Sequence, residues 1–210
     1  MPAPWPSWLA IAVAAYLLGA IPSGLLIGRL FFGVDVRHYG SRRTGATNVL
    51  RTLGKGAAAA ALVMDVAKGA AAVLFARWLL PDQAWAHVLA ALAATAGHNW
   101  PVFVGFRGGR GVLVSIAAVA VLHFPVVFGL LAAGAIVLWL TRYVSLASVV
   151  GAALAPLLFL LFYLRGNVPF AYLAYTIVGA PLVILVHRDN IARLLSGKEA
   201  RLGERVRPAA

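Results

Sequence analysis

The stretch GVLVSIAAVAVLHFPVVFGLLAAGAIVLWLT (residues 111–141) carries no Asp, Glu, Lys or Arg. A hydrocarbon core of about 30 Å needs about 20 apolar residues of helix, and a run this long and this apolar belongs in one. Pro125 interrupts it, because proline removes a backbone donor and favours a break. The stretch therefore reads as two spans, 111–124 and 125–141. Outward from it, further apolar runs fall near 8–28, 56–80, 84–98, 144–164 and 168–187. Composition agrees. The chain is 62% hydrophobic and 11% charged, where a soluble domain carries about 25% charged residues. The expected fold is all-α integral membrane. A single transmembrane catalytic domain covers residues 1–195, with about seven transmembrane helices, and a frayed basic tail covers 196–210. Five spans is the alternative, because 84–98 and 111–124 are short. A helix of about 14 residues reaches only about 21 Å, so the two are tilted partial crossings or one of them is re-entrant.

Charge sets the orientation. With the N-terminus outside, fifteen of the 18 Lys and Arg residues fall on the inner side. Arg77 and Arg165 fall outside, and Lys68 lies within a span. This bias follows the positive-inside rule and puts the C-terminus and every polar loop in the cytoplasm. The net charge of +12 is then explained by topology rather than by nucleic acid. The chain has no cysteine, which excludes disulfides, thiolate metal sites and cysteine nucleophiles. Met1–Ser7 lacks the basic segment of a cleavable signal.

Two polar strings interrupt the apolar chain. The first, GSRRTGATNVLRTLGK (residues 40–55), groups glycines with Ser41, Thr44, Thr47 and Asn48 as donors. Arg51 adds a fork suited to phosphate. Arg42, Arg43 and Lys55 read equally well as topogenic charge at lipid headgroups. The second, GHNWPVFVGFRGGRGV (residues 97–112), ends in a glycine-rich turn that opens a helix. Such a turn presents backbone N–H groups to an anion, here from Gly108, Gly109 and Gly111 around Arg110. It lacks the nucleotide-binding P-loop pattern. His98 and Asn99 fall where they would line a pocket.

Two further clusters lie on the same side. In TRYVSLAS (residues 141–148), Ser145 and Ser148 are three apart and share a helix face. Membrane serines often bond only to backbone, and that reading leads for them. In HRDNIARLLSGKE (residues 187–199), His187 and Asn190 also share a face, which favours a role in binding. Asp65 and Lys68 stand three apart inside a span, so they can pair. A charge there costs about 2.5–3.5 kcal/mol on insertion scales, so the pair is expected to pin helix packing or buttress the neighbouring loop. No paired acidic motif for Mg²⁺, H-E-x-x-H, G-x-S-x-G elbow or H-x4-D is present, so no metal or cofactor is expected.

Taken together, IPSGLLIGRL (residues 21–30), GATNVLRTLGK, DVAKG (residues 65–69), GHNWPVFVGFRGGRGV, TRYVSLAS and HRDNIARLLSGKE resemble the bacterial integral-membrane acyl-phosphate:glycerol-3-phosphate acyltransferases. The resemblance implies acyl transfer from acyl phosphate to the 1-hydroxyl of glycerol 3-phosphate. The products would be lysophosphatidate and inorganic phosphate, formed at the cytoplasmic face of the bacterial inner membrane. It also implies catalytic roles for Ser41, Arg51, Arg110, His187 and Asn190. Thr47, Asn48, the glycines at 108, 109 and 111, Ser145 and Ser148 would contact substrate, and Glu199 would be structural. The partners implied are the two substrates and membrane lipid, with no protein partner and no nucleic acid. Two departures stand out. Gly40-Ser41-Arg42-Arg43 replaces the usual GSGN, and Arg107 and Arg110 replace usual lysines. The rival class is a small organic-phosphate or anion transporter. That class needs groups reached from both sides near mid-membrane, whereas here nearly all candidates lie on one side.

Overall fold

The computed structural model describes residues 5–204, and within them the protein is all helix, with no strand. Nine α-helices follow one another. They are α1 (Trp5–Ala20), α2 (Ser23–Phe32), α3 (Ala46–Leu53), α4 (Lys55–Leu79), α5 (Ala84–Asn99), α6 (Val112–Thr141), α7 (Val144–Leu164), α8 (Phe170–Val186) and α9 (Arg188–Leu195). The bundle is built around α4 and α5. Helix α1 packs on both, α6 packs on α4, α7 on α6, and α8 on α7 and back on α5.

Small residues permit this close approach, as they do generally between membrane helices. A Cβ on Gly19 would strike the backbone of Ala94, one on Gly97 the carbonyl of Tyr16, and one on Gly69 the backbone of Val114. Ala61, Ala72, Ala76, Ala90 and Ala94 are fully buried beside them. Large apolar groups face outward instead, among them Trp78 and Trp139 at 77% and 81% exposure. A soluble protein rarely shows so much apolar surface, and lipid accounts for it.

Pro22 separates α1 from α2, and the carbonyl of Ile21 is left outside both helices. Lys68 Nζ donates to that carbonyl at 2.7 Å and pairs with Asp65 at 2.9 Å. Asp65 also accepts from Ser23 Oγ at 2.9 Å, at the start of α2. The Asp65–Lys68 pair thus sits at the break in the first apolar segment and bonds to both sides of it. Gly33 closes α2 in the left-handed conformation (φ 65°), which a residue with a Cβ adopts at a cost.

Helix α6 does not run straight. His123 leaves helical geometry (φ −157°, ψ 94°) two residues before Pro125. Arg77 donates to the carbonyl of Val121 at 2.7 Å, just before this break. A straight helix would carry the chain about 45 Å from Val112 to Thr141. Yet Val112 and Val144 line one cavity, so the element doubles back at the predicted proline break. By length and apolarity, four segments qualify to cross a membrane: α1 with α2, α4, α6 and α7. A fifth is added if α8 and α9, bent by 58°, form one span. The difference from seven lies in α6, one segment with two arms, and in α5, whose 16 residues reach only about 24 Å.

The chain beyond 195 is not a free tail as far as it is described. Leu202 N–H donates to the Arg142 carbonyl at 2.7 Å, and Arg142 Nη2 returns a bond to the Leu202 carbonyl at 2.9 Å. The end of the expected tail, 205–210, lies outside the described residues.

Candidate active site

The loop ahead of α3, the glycine-rich turn ahead of α6, the start of α7 and the α8–α9 corner meet around a cavity of about 330 Å³. Each wall is held by one polar residue. In the first loop that residue is Asn48, buried at 2% exposure. Its Nδ2 donates to the carbonyls of Val36 and Arg43, both at 2.8 Å. Its Oδ1 accepts from Ser41 N–H at 3.0 Å. Asn48 was expected to contact substrate, but its amide is committed to folding the loop that presents Ser41, Arg43 and Thr47 to the cavity.

The second wall also departs from expectation. Gly109 N–H donates to the His98 carbonyl at 3.0 Å and Gly108 N–H to the Asn99 carbonyl at 3.2 Å. Those two amides are therefore engaged with the chain rather than facing an anion. The glycines are required for another reason. A Cβ on Gly109 would occupy the His98 ring, and one on Gly108 the His98 carbonyl. His98 Nδ1 lies 3.5 Å from Asp65 Oδ1, so the Asp65 network also buttresses this turn. Gly111 (φ 71°) precedes the first turn of α6, whose N–H groups lack intrahelical acceptors. Gly111, Val112 and Leu113 line the cavity. The expected anion-binding backbone is thus confined to the last glycine and the helix start.

The third wall is organised by Glu199. Its Oε1 accepts from Ser145 Oγ at 2.8 Å and from Asn190 Nδ2 at 2.6 Å, and Arg193 Nε donates to Oε2 at 2.8 Å. Burial pushes the Glu199 carboxyl up, but these three bonds outweigh it and hold the carboxyl below its usual range. Glu199 thus ties Ser145 of α7 to Asn190 and Arg193 of α9. Ser145, expected to face substrate, spends its hydroxyl here, and Ser148 donates to the Val144 carbonyl at 2.9 Å. Asn190 keeps Oδ1 buried and unpartnered. His187 Nδ1 donates to the Val183 carbonyl at 2.7 Å. A carbonyl can only accept, so the proton is on Nδ1 and Nε2 remains as the acceptor.

The cavity's charge is unbalanced. Arg43, Arg51 and Arg110 line it, together with Asp65 and Glu199, whose charges are already paired with Lys68 and Arg193. Arg51 Nη2 donates to the Ala200 carbonyl at 2.9 Å. Burial lowers its pKa, with Arg193 adding and Glu199 opposing. Arg110 is the extreme case. Its Nε is buried without a partner, and it forms no ion pair among the described residues. Burial first, then the nearby charges of Arg43 and Arg193, push its pKa down to about 10. It remains a cation at neutral pH. A half-buried cation with a buried, unpartnered Nε is costly, and an anion in the cavity would relieve that cost.

All five expected catalytic residues (Ser41, Arg51, Arg110, His187 and Asn190) line this one cavity, although they are spread over nearly 150 positions of sequence. His98 lines it and Asn99 does not. Arg43 also lines it, and sequence reasoning left that residue undecided. A second, apolar cavity of about 420 Å³ adjoins the first, with Val112, Leu113, Val144 and Ser148 lining both.

Fold and site together define an integral membrane protein with a cationic pocket opening onto an apolar groove. Comparison with known proteins is specific about its class. Residues 9–197 match the family model described as glycerol-3-phosphate acyltransferase. A glycerol-3-phosphate acyltransferase of Gloeobacter violaceus is 45% identical over 209 residues, covering 98% of each chain. One from Dehalococcoides mccartyi is 42% identical, covering 95% of this chain and 97% of its own. Among solved structures, PlsY (YgiH), an integral membrane glycerol 3-phosphate acyltransferase, superposes in its glycerol 3-phosphate form. The TM-score is 0.86 at 38% identity, over 94% of this chain and 96% of that one. The lysophosphatidic acid form of the same protein gives a TM-score of 0.82. The chain belongs to the glycerol-3-phosphate acyltransferase family and is an acyltransferase.

Proposed function

We propose that the protein transfers a fatty acyl group from acyl phosphate to the 1-hydroxyl of glycerol 3-phosphate, releasing lysophosphatidate and inorganic phosphate. The observation that carries this reading is the unpartnered Arg110 cation, flanked by Arg51 and Arg43, at the point where a polar cavity joins an apolar groove. One headgroup site beside one tail site suits a phosphorylated, lipid-soluble donor.

The chemistry asks little of the protein beyond positioning. The hydroxyl oxygen attacks the acyl carbon, the acyl–phosphate oxygen bond breaks, and phosphate departs with the electron pair. Arg51 and Arg110, with the first amides of α6, balance the charge on the two phosphates and on the leaving group. Ser41 orients a phosphate or the attacking hydroxyl. Holding both reactants side by side supplies the proximity on which the rate depends. His187 Nε2 and Asn190 Oδ1 are acceptors, suited to the hydroxyls of glycerol 3-phosphate, and the proton passes either to Nε2 or to a substrate phosphate. Asn48 holds the loop, and the acyl tail lies along the groove between α6, α7 and α8. No cofactor takes part.

The membrane reading that accompanies this counts the two arms of α6 and the short α5 as crossings. That gives seven spans, with the N-terminus outside and the active site at the cytoplasmic face of the inner membrane.

The test is direct. Purified protein is supplied with labelled glycerol 3-phosphate and acyl phosphate, or with acyl-CoA or acyl carrier protein thioester instead. Labelled lysophosphatidate, with one phosphate released per turnover, should appear only with acyl phosphate. Turnover with a thioester alone would overturn the donor assignment. His187→Gln retaining full turnover, with an unchanged acidic limb in its pH profile, would remove His187 as the base.

A further inference from the structure

Arg43 is the cavity cation that the chemistry above leaves unused. Arg43 lines the cavity and its charge acts on Arg110, while its carbonyl accepts from Asn48 at 2.8 Å, so the backbone beneath it is fixed. Its side chain reaches Asp189 on α9 at 3.7 Å, too long for a hydrogen bond, and the two side chains are 33% and 54% exposed. Asp189 is shared with Arg188 at 3.8 Å. An exposed pair at that spacing is weak, whereas guanidinium and phosphate form short, charge-assisted, two-pronged bonds. Asp189 is also next to Asn190, an inward-facing residue of the cavity.

We infer that Arg43 is a third phosphate-binding cation of this site, restrained by Asp189 across the rim and released to the substrate phosphate group that enters. This rests on the reading that the cavity takes phosphorylated substrates. Before binding, the restraint draws Arg43 toward a carboxylate and away from Arg110, two cations that otherwise repel. On binding, the arriving dianion offers Arg43 a better partner than Asp189, and the guanidinium covers the cavity mouth.

The experiment measures equilibrium binding of labelled glycerol 3-phosphate to the purified full chain without any acyl donor. KM values for both substrates are then measured. Arg43→Gln should weaken the affinity of one phosphate by about tenfold, with kcat changed far less. Arg43→Lys, which keeps the charge, should recover part of the loss. Asp189→Asn should tighten binding about two- to threefold, and this gain should vanish in the Arg43→Gln background. A rise confined to the KM for acyl phosphate assigns Arg43 to the donor phosphate, and one confined to glycerol 3-phosphate assigns it to the acceptor. Wild-type affinity for both substrates in Arg43→Gln overturns the inference, and an Asp189→Asn gain that persists without Arg43 overturns the restraint. Wild-type protein that binds glycerol 3-phosphate but does not use acyl phosphate would defeat the donor assignment while leaving the Arg43 result standing.

Discussion

Lys68 is a buried cation and Arg110 a half-buried one, and their surroundings are opposite. Lys68 has Asp65 at 2.9 Å and the freed carbonyl of Ile21 at 2.7 Å. Arg110 has a buried, unpartnered Nε and three neighbouring arginines, Arg43, Arg51 and Arg193. The first cation is complete within the fold and serves it. The second is left incomplete by the fold, and the cavity in front of it is where an anion completes it. Burial alone does not separate structural from functional charge here, but the presence or absence of an internal partner does.

The largest effect should come from breaking the incomplete side. Arg110→Ala should lower kcat/KM by about 10²–10³-fold, as loss of a charge-stabilising donor does elsewhere. Its melting temperature without substrate should not fall. Steady-state kinetics and a thermal scan on the same preparation check both. Breaking the complete side should do the reverse. Lys68→Met strands Asp65 in the bundle and should cost about 3–5 kcal/mol of stability, read as a lowered unfolding midpoint. Adding Asp65→Asn should restore part of it.

Glu199 sharpens the contrast, as a buried carboxylate with every oxygen partnered. Its folded pKa lies below its ordinary value of 4.5. The stability it contributes is therefore present above about pH 4.5 and is lost as pH falls through the folded value. Glu199→Gln should flatten that acid limb of the unfolding midpoint, and an unchanged limb would show that the carboxylate does not act there. The smallest effect is local. Arg42 adopts φ 56° in the first loop, a conformation that costs a side-chain-bearing residue about 1 kcal/mol. Arg42→Gly should stabilise by about that amount and leave kcat unchanged.

Much of this was legible in the sequence because it depends on short-range rules. The expected span 144–164 coincides with α7 (Val144–Leu164), set by a turn residue and a run of apolar positions. Asp65 and Lys68 announced their pairing by a three-residue spacing. Clustered Ser, Arg, His and Asn residues pointed to one site because polar groups at a membrane face are expensive. The misreadings all depend on where a group points. Gly108 and Gly109 looked like an anion nest, yet their amides turn to the carbonyls of His98 and Asn99. Glycine composition says that backbone comes close to something, not to what. Asn48 and Ser145 looked like ligand donors for the same reason, but they bond to the chain. Arg43 was indistinguishable from a topogenic arginine until the loop closed around Asn48. The docking of 199–202 onto α3 and α7 carries no local signal at all.

The central claim is that Arg110 is a cation completed by substrate phosphate. The most direct test is the glycerol 3-phosphate-induced shift in melting temperature of the wild type and of Arg110→Met. The wild type should gain stability with added glycerol 3-phosphate. Arg110→Met should be at least as stable without it and gain little. An undiminished ligand-induced shift in Arg110→Met would contradict the account.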